Sequence, residues 1–246
     1  MTKRSYGGEA ALVAAINVCN NRVVDAYEWL RGSIRSGELL PGQRMAEADL
    51  AKAMGLSRTP VREALSRLDG DGLVLSKGRG VQLRVLTPAE IVEVMQCRAA
   101  LEGYAAGQVA RLQSAGLLRP ADLARIEQLL VECDQITRTR GAADGALANR
   151  AFHLALAALA GNSRLDAELG RLWDQLLVAT RAGLDLPERL DTVHAEHVAI
   201  MTAVVAGQPD PARAAVERHV DTTTTLATDE VAEPALSAHG IRGVGA

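Results

Sequence analysis

The chain has 246 residues, of which 48% are hydrophobic, 23% charged and 2% aromatic, and its formal net charge is −3 at pH 7. This length and composition exclude a disordered chain and allow one large domain or two ordinary ones, each able to bury a core. The net charge argues against a uniformly basic nucleic-acid-binding protein, and the six aromatic residues argue against a stacking surface for single-stranded nucleic acid.

The cysteines and the start of the chain indicate the compartment. Cys19, Cys97 and Cys133 lie far apart and form no Cys-x-x-Cys motif, so we expect neither a disulfide framework nor a cysteine zinc site. Residues 1–8 lack the basic start and apolar run of a signal peptide, and no stretch approaches the roughly 18 apolar residues of a membrane span. These features predict a cytoplasmic protein that does not enter membranes.

The first 86 residues predict three helices followed by a β-hairpin. Residues 1–22 are expected to form a loosely held extension with at most a short helix. Gly37 and Gly55 are placed to end the first two helices in a left-handed conformation. The predicted helices span about 23–36, 46–54 and 57–68, and the predicted strands span 73–75 and 81–85.

From Thr87–Pro88 onward, every segment predicts helix, and Pro88 suits the first helical position. Apolar residues recur at intervals of three and four, which is the period of a helix with one buried face. This pattern predicts an all-helical bundle, whereas residues 229–246, rich in Ala and Gly, are expected to be a disordered tail. The predicted bundle helices span about 88–114, 120–139, 144–160, 163–183, 186–206 and 209–227.

Residues 47–68 have the pattern of a helix-turn-helix: a short helix, a turn containing Gly55, and a second helix with a polar start. In this motif the first residues of the second helix meet base edges in the major groove. Arg58 and Arg62 are four residues apart and project from one face, and a guanidinium suits both guanine and phosphate. The hairpin tip 76–80 combines two cations with two glycines, as suits a wing that approaches the duplex closely.

The five histidines all follow residue 150, and three of them lie in three different predicted helices. These are His153, His197 and His219, and Asn149 precedes His153 by one turn. Imidazoles that converge in a bundle form a plausible divalent metal site, with an asparagine oxygen as a fourth ligand. A histidine on a helix is more often a hydrogen-bonded core or surface residue, and the sequence does not show that the three converge.

Residues 39–86 resemble the winged-helix domain of the GntR family of bacterial transcription regulators. The PG-x-R turn, the E-x-D-L-A helix, the SRTPVREAL recognition helix and the GLV…GRG wing carry the resemblance in that order. It implies a winged helix-turn-helix domain over 23–87 that binds double-stranded operator DNA as a homodimer. The DNA contacts expected from the motif and the resemblance are Arg44, Ser57, Arg58, Thr59, Arg62, Lys77 and Gly78.

Residues 88–228 resemble the all-helical FCD effector domain of the FadR subfamily, and six helices match its shorter, VanR-like branch. The segments NRAFHLALAALAGN, EHVAIMTAVVAG and AVERH carry this resemblance. It implies a divalent ion of the Zn²⁺ or Ni²⁺ class, both of which suit imidazole. The implied ligands are Asn149, His153, His197 and His219.

Arg98 lies in the first predicted bundle helix, four residues before Glu102. The resemblance implies that Arg98 binds the carboxylate of a small organic-acid effector, a task that suits a bidentate guanidinium. The alternative is an ordinary ion pair on the helix surface.

The sequence therefore predicts a homodimeric, ligand-responsive regulator, more often a repressor than an activator, and not an enzyme. One alternative is a metal-dependent enzyme, but Glu196, the acidic neighbour of His197, points about 100° away from it on a helix. The other is a regulator for which the metal ion itself is the signal. The charge is also divided: residues 25–86 hold 10 basic and 8 acidic residues, whereas residues 88–230 hold 13 and 20.

Overall fold

The structure is a computed structural model, and it describes residues 7–78, 80–179 and 190–238. The chain forms two compact units, Met1–Val85 and Leu86–Ala246. In the described part of the chain, no helix combines the length and the hydropathy needed to cross a membrane. The predicted fold class, a winged helix-turn-helix followed by a helical bundle, is confirmed.

The first unit is built on three helices. Helix α1 spans Gly7–Ser36, α2 spans Glu47–Met54 and α3 spans Arg58–Gly70. Gly55 ends α2 in the left-handed conformation with φ 65°, and its N–H bonds to two carbonyls of the last turn. Glycine adopts this conformation without strain, so α3 can start three residues after α2 ends.

Helix α1 is longer than the sequence indicated. A loosely held extension was predicted over residues 1–22, but α1 is continuous from Gly7. Between Glu9 and Arg31 the chain contains neither glycine nor proline, and the alanine, leucine and arginine found there are strong helix formers. Residues 1–6 lie outside the described residues.

The wing is a three-stranded antiparallel sheet in the order β1-β3-β2. Strand β1 spans Arg44–Ala46, β2 spans Val74–Lys77 and β3 spans Gly80–Leu83. The predicted hairpin corresponds to β2 and β3, whereas β1 was missed because three residues are too few to show an alternating pattern. Gly80 pairs with Ala46, and a Cβ added at Gly80 would lie 2.3 Å from the Met45 carbonyl oxygen. A glycine is therefore required where β3 pairs with β1.

The second unit contains six described helices, as predicted. Thr87 caps the first of them in a capping box with Glu90, and Pro88 is its first residue. The helices are α4 Pro88–Ser114, α5 Pro120–Arg140, α6 Ala142–Ala158, α7 Ser163–Ala179, α8 Leu190–Val205 and α9 Pro209–Ala238.

One of these helices is longer than predicted, and two predicted helix ends fall outside the described residues. Helix α9 continues to Ala238, so part of the segment predicted to be a disordered tail is helical. Its alanines and glutamates favour helix, and the rest of that tail, 239–246, lies outside the described residues. The predicted end of α7 and start of α8 fall in 180–189, which also lie outside them.

The core of the second unit is formed by apolar residues of all six helices, α4 to α9. Phe152 of α6 and Ile200 of α8 are both fully buried in it. These two residues stand one turn or less from His153 and His197, so the same packing that forms the core brings the histidine-bearing faces together.

Candidate functional site

Helix α3 presents a polar face at its start. Ser57, Arg58, Thr59 and Arg62 are all exposed, while Val61 on the opposite face is buried. Ser57 occupies the N-cap position with extended backbone, but its hydroxyl makes no capping hydrogen bond. The residues predicted to meet DNA therefore lie on one accessible face.

Arg62 does not extend alone into solvent, because Glu47 of α2 binds it. The Arg62 Nε lies 3.1 Å and Nη2 2.8 Å from Glu47 Oε2. The hydrogen bonds from Arg62 lower the pKa of the Glu47 carboxyl below its usual range. No sequence pattern indicates this pair, since its members are 15 residues apart on different helices.

The wing supplies further cationic groups. Lys77 at the end of β2 and Arg44 on β1 are exposed. Gly78, in the turn between β2 and β3, has a φ of 63°, which favours glycine. Arg79, at the predicted wing tip, lies outside the described residues. The first unit thus carries exposed cations on α3 and on two strands of the wing, β1 and β2. A surface that binds a phosphate backbone requires such cations.

In the second unit, the structure brings together three histidines from three helices. His153 of α6, His197 of α8 and His219 of α9 are all buried, and one ring nitrogen of each lies within 4.8 Å of the other two. The Nε2 atoms of His153 and His197 are 3.2 Å apart. These three residues form what we call the histidine cluster.

Two carboxylates orient the rings of the histidine cluster. Glu102 Oε2 lies 2.8 Å from His153 Nδ1, and Glu196 Oε2 lies 2.8 Å from His219 Nδ1. A neutral imidazole that donates its Nδ1–H to a carboxylate keeps a lone pair on Nε2. Neither carboxylate was predicted to hold a ring, because 51 and 23 residues separate the partners in the sequence.

Burial controls the protonation of the cluster. It lowers the pKa of His153, and it holds the pKa of His197 well below its ordinary value, with the neighbouring His219 and His153 acting in the same direction. Burial also works to raise the pKa of the Glu102 carboxyl, but Arg98 and His153 together outweigh it and hold that pKa well below its usual range. At neutral pH, the imidazoles of His153 and His197 are therefore uncharged and can donate a nitrogen lone pair to a metal ion, whereas Glu102 is an anion.

Asn149 adds an oxygen beside the histidine cluster. It lies one turn before His153 on α6, and it lines the same cavity as His197 and His219. Its Oδ1 is buried and has no hydrogen-bond partner within the part of the chain that the structure describes. A buried amide oxygen without a partner is costly, and an ion held by nitrogen and oxygen ligands would satisfy it. The four predicted ligands therefore fit a divalent metal.

Arg98 is buried, which rules out the alternative of a surface ion pair. Its Nε donates to Glu102 Oε1 at 2.8 Å, and its guanidinium carbon lies 4.0 Å from the ring centroid of Trp173. Its Nη2 lies 3.4 Å from His153 Nε2. Arg98 is thus adjacent to the histidine cluster but does not line the cavity, and its direct contact with an effector remains a prediction.

Trp173 belongs to the same polar network as Arg98 and Glu102. Its indole Nε1 donates to Glu102 Oε1 at 2.8 Å. Glu102 Oε1 therefore accepts hydrogen bonds from both Trp173 and Arg98, while Glu102 Oε2 lies 2.8 Å from His153 Nδ1. A tryptophan tolerates burial when its N–H finds such an acceptor.

A cavity of about 90 Å³ opens beside the histidine cluster between α5, α6, α8 and α9. An apolar cavity of about 150 Å³ accommodates benzene, so this cavity suits a molecule of few heavy atoms.

Burial raises the pKa of the Cys133 thiol, which lines this cavity, to about 11, so the thiol stays protonated and is a poor metal ligand. The polar and ionisable lining residues include Cys133, Asp134, Thr137, Asn149, His194 and Thr223.

Comparisons with known proteins place both units. Residues 22–81 match the model of bacterial regulatory proteins of the gntR family, and residues 93–222 match the FCD domain model. The chain is 30% identical to the HTH-type transcriptional regulator LutR of Bacillus subtilis, over 76% of this chain and 92% of that protein. It is 31% identical to a probable D-xylose utilization operon transcriptional repressor of Paenarthrobacter nicotinovorans, over 76% of this chain and 80% of that protein.

Solved structures share the fold. A putative GntR transcriptional regulator from Rhodococcus superposes with a TM-score of 0.71 at 26% identity, covering 85% of this chain and 98% of that one. McbR/YncC of E. coli superposes with a TM-score of 0.72 at 22% identity, covering 85% and 97%.

Proposed function

The chain belongs to the gntR family of bacterial regulatory proteins and carries an FCD domain, and from this premise we propose that it is a ligand-responsive repressor. In this proposal the first unit binds operator DNA and the second binds a divalent metal and a small carboxylate. The relatives described above are transcription regulators and one is a probable repressor, which supports regulation rather than catalysis.

The DNA-binding half of the proposal is supported by the exposed start of α3. A recognition helix contacts bases with its first residues, and Arg58 and Arg62 lie there on one face. Arg44 and Lys77 are exposed cations that would bind phosphates of the DNA backbone. One winged helix reads one half-site, so the protein is expected to act as a homodimer on a pseudo-palindromic operator.

The metal half is carried by a single observation: three buried imidazoles converge, and the buried, unpartnered oxygen of Asn149 lines the cavity beside them. This donor set suits Zn²⁺ or Ni²⁺. Asn149, His153, His197 and His219 would hold the ion, which when bound supplies open coordination positions to an anion. The protein's own contribution is to keep the imidazoles neutral and oriented.

The proposed effector is a small organic acid that enters the cavity beside the histidine cluster. The ligand set Asn149, His153, His197 and His219 is uncharged when its imidazoles are neutral, so a divalent ion there attracts an anion. The volume of the cavity, about 90 Å³, suits an acid of a few carbon atoms. The guanidinium of Arg98 lies 3.4 Å from His153 Nε2, and its positive charge favours the same anion.

The effector regulates DNA binding if it has different affinities for the DNA-competent and DNA-incompetent states. If the ion itself is the signal, metal alone should change operator affinity and carboxylates should add nothing. If the protein is an enzyme, a bound acid should be turned over. The carboxylate of Glu196 already contacts His219, and this favours an orienting role over that of a general base.

The experiment is metal analysis of protein purified without a histidine tag, followed by a thermal-shift screen of short carboxylic acids. We expect about one Zn²⁺ or Ni²⁺ per chain, and a rise in melting temperature with at least one acid that requires the ion. His153→Ala should abolish both. Its matched control is His194→Ala, which removes a cavity-lining imidazole outside the histidine cluster. A metal-free wild type, or an unchanged acid response in His153→Ala, contradicts the proposal.

A further inference from the structure

Glu196 stands out among the acidic residues of the second unit because it contacts one proposed ligand and immediately precedes another in the sequence. It precedes His197 on α8, and its Oε2 lies 2.8 Å from Nδ1 of His219 on α9. Successive residues of a helix point about 100° apart. Helix α8 therefore directs His197 into the histidine cluster and, at the same time, directs a carboxylate to the outer edge of His219.

We propose that Glu196 is the positioning residue of the metal site: it fixes the tautomer of His219 and supplies the negative charge that the amide of Asn149 lacks. This inference rests on the proposed metal binding. A ligating histidine that donates its other N–H to a carboxylate has a fixed orientation and a more basic metal-facing nitrogen. In this way Glu196 strengthens the ion's attachment without touching it.

Glu102 orients His153 in the same manner, but it does not supply the same net negative charge. Its other oxygen accepts hydrogen bonds from Arg98 and Trp173, both at 2.8 Å, and all three groups are buried. The guanidinium of Arg98 offsets the charge of Glu102 at close range. Glu102 is thus part of the buried framework, whereas the Glu196 side chain is 19% exposed at the edge of the fold.

The position of Glu196 explains how a site with an amide ligand can retain a divalent ion. Four neutral ligands leave both positive charges of the ion to be balanced by groups beyond the ligands. A carboxylate hydrogen-bonded to a ligand ring is the nearest such group that a substitution can change without opening the core. The outer carboxylate would then set the affinity of the site, and the inner amide would set its geometry.

The test compares four tag-free, full-length proteins: wild type, Glu196→Ala, Glu196→Gln and the control Glu217→Gln. Glu217 is exposed on α9 two residues before His219, so Glu217→Gln removes the same charge nearby without removing the Glu196–His219 contact. Zn²⁺ affinity is measured by competition with a chelating dye, and the ligand geometry by the visible absorption of bound Co²⁺. Circular dichroism of the metal-free proteins verifies that each variant folds.

We expect Glu196→Ala to weaken Zn²⁺ binding by about 10-fold to 100-fold and to change the Co²⁺ spectrum. Glu196→Gln should weaken binding less and keep the wild-type spectrum, because its amide oxygen still accepts the Nδ1–H but carries no charge. Glu217→Gln should match the wild type. If Glu196→Ala does not fold, the difference in Zn²⁺ affinity between Glu196→Gln and Glu217→Gln measures the contribution of the Glu196 charge.

Three results would overturn the proposal, and they are distinguishable. Wild-type affinity in Glu196→Gln and Glu196→Ala refutes the role of Glu196 while leaving the metal site intact. Equal weakening in Glu217→Gln reduces the effect to general electrostatics. A wild type that binds neither Zn²⁺ nor Co²⁺ refutes the metal site itself, and with it the inference.

Discussion

Each of the two units contains an arginine–glutamate ion pair. The nitrogen–oxygen distance is the same in both pairs, but their exposure to solvent differs greatly. Arg62 and Glu47 of the first unit are 2.8 Å apart, with 68% and 24% of their side chains exposed. Arg98 and Glu102 of the second unit are also 2.8 Å apart, with 1% and 3% exposed. Water screens the first pair, so it contributes little to stability and can exchange one partner for DNA. The second pair cannot be opened without leaving a buried charge.

The difference shows how one kind of contact serves two functions. On α3 the pair keeps an exposed guanidinium ordered yet available. Beside the histidine cluster the pair anchors a carboxylate that in turn orients a ligand ring, and exchange of a partner there would disrupt the site. Breaking each pair should therefore affect different measurements: stability for the buried pair and DNA affinity for the exposed one.

The largest expected effect is that of Arg98→Met. This substitution leaves the Glu102 carboxylate buried without its cation, which typically costs about 3–5 kcal/mol in free energy of unfolding. Chemical denaturation followed by Trp173 fluorescence measures it, in a Trp29→Phe background because these are the two tryptophans. The double variant Arg98→Met/Glu102→Gln should recover part of the loss. A loss below about 1 kcal/mol, the range of surface pairs, would remove the contrast between the pairs.

Next in size is the effect of Arg62→Ala on DNA. Loss of a recognition arginine should weaken operator binding by about 10-fold to 100-fold, while the melting temperature stays that of the wild type. Fluorescence anisotropy with a duplex selected from random sequences by the purified protein measures this. Arg67→Ala is the matched control, since Arg67 is an exposed arginine in the last turn of the same helix. Equal losses in both variants would mean that α3 contributes charge and no base reading.

A third prediction concerns the stability of the metal-free protein below neutral pH. Burial, followed by the neighbouring His219, His153 and Arg98, holds the pKa of His197 well below its ordinary value, whereas Glu102 opposes them. The folded chain then binds fewer protons than the unfolded chain below about pH 6.5, so stability is full above that pH and falls below it. We expect a loss of about 1 kcal/mol for this imidazole per pH unit. His197→Leu should flatten the dependence, and an unchanged slope would contradict a neutral, buried His197.

The smallest expected effect is that of Glu47→Gln. Stability should stay at the wild-type level, because the pair is exposed. Binding to non-specific duplex should rise slightly, since a negative charge leaves the DNA-facing surface, while discrimination between operator and non-operator falls because Arg62 loses its fixed position. Anisotropy titrations over a range of salt concentrations separate these contributions. A marked loss of stability would mean that the pair is structural.

The sequence predicted much of this architecture because the signals were local. The helical period of the apolar residues, Gly55 and the Thr87–Pro88 cap predicted the positions of most helices. The sequence motifs within those helices and in the wing carried the family resemblance. Three histidines in three helices could be picked out, but their convergence depends on packing across 66 residues of chain, from His153 to His219.

What the sequence missed are contacts between distant segments. Glu102, Glu196 and Trp173 each join the cluster through a partner on another helix, and the glutamates among them look like ordinary surface charges in the sequence. The pairing of Glu47 with Arg62 was missed for the same reason. Strand β1 was missed because its three residues are recognisable as a strand only through their pairing with β3, Gly80–Leu83.

The most direct test of the account is the coupling between the two units. Operator affinity is measured by anisotropy for metal-loaded wild type and for His197→Ala, with and without the short carboxylic acid that gives the largest thermal shift. We expect the acid to weaken operator binding of the metal-loaded wild type and to leave His197→Ala unaffected. An acid effect of equal size in His197→Ala, or none in the metal-loaded wild type, would contradict it.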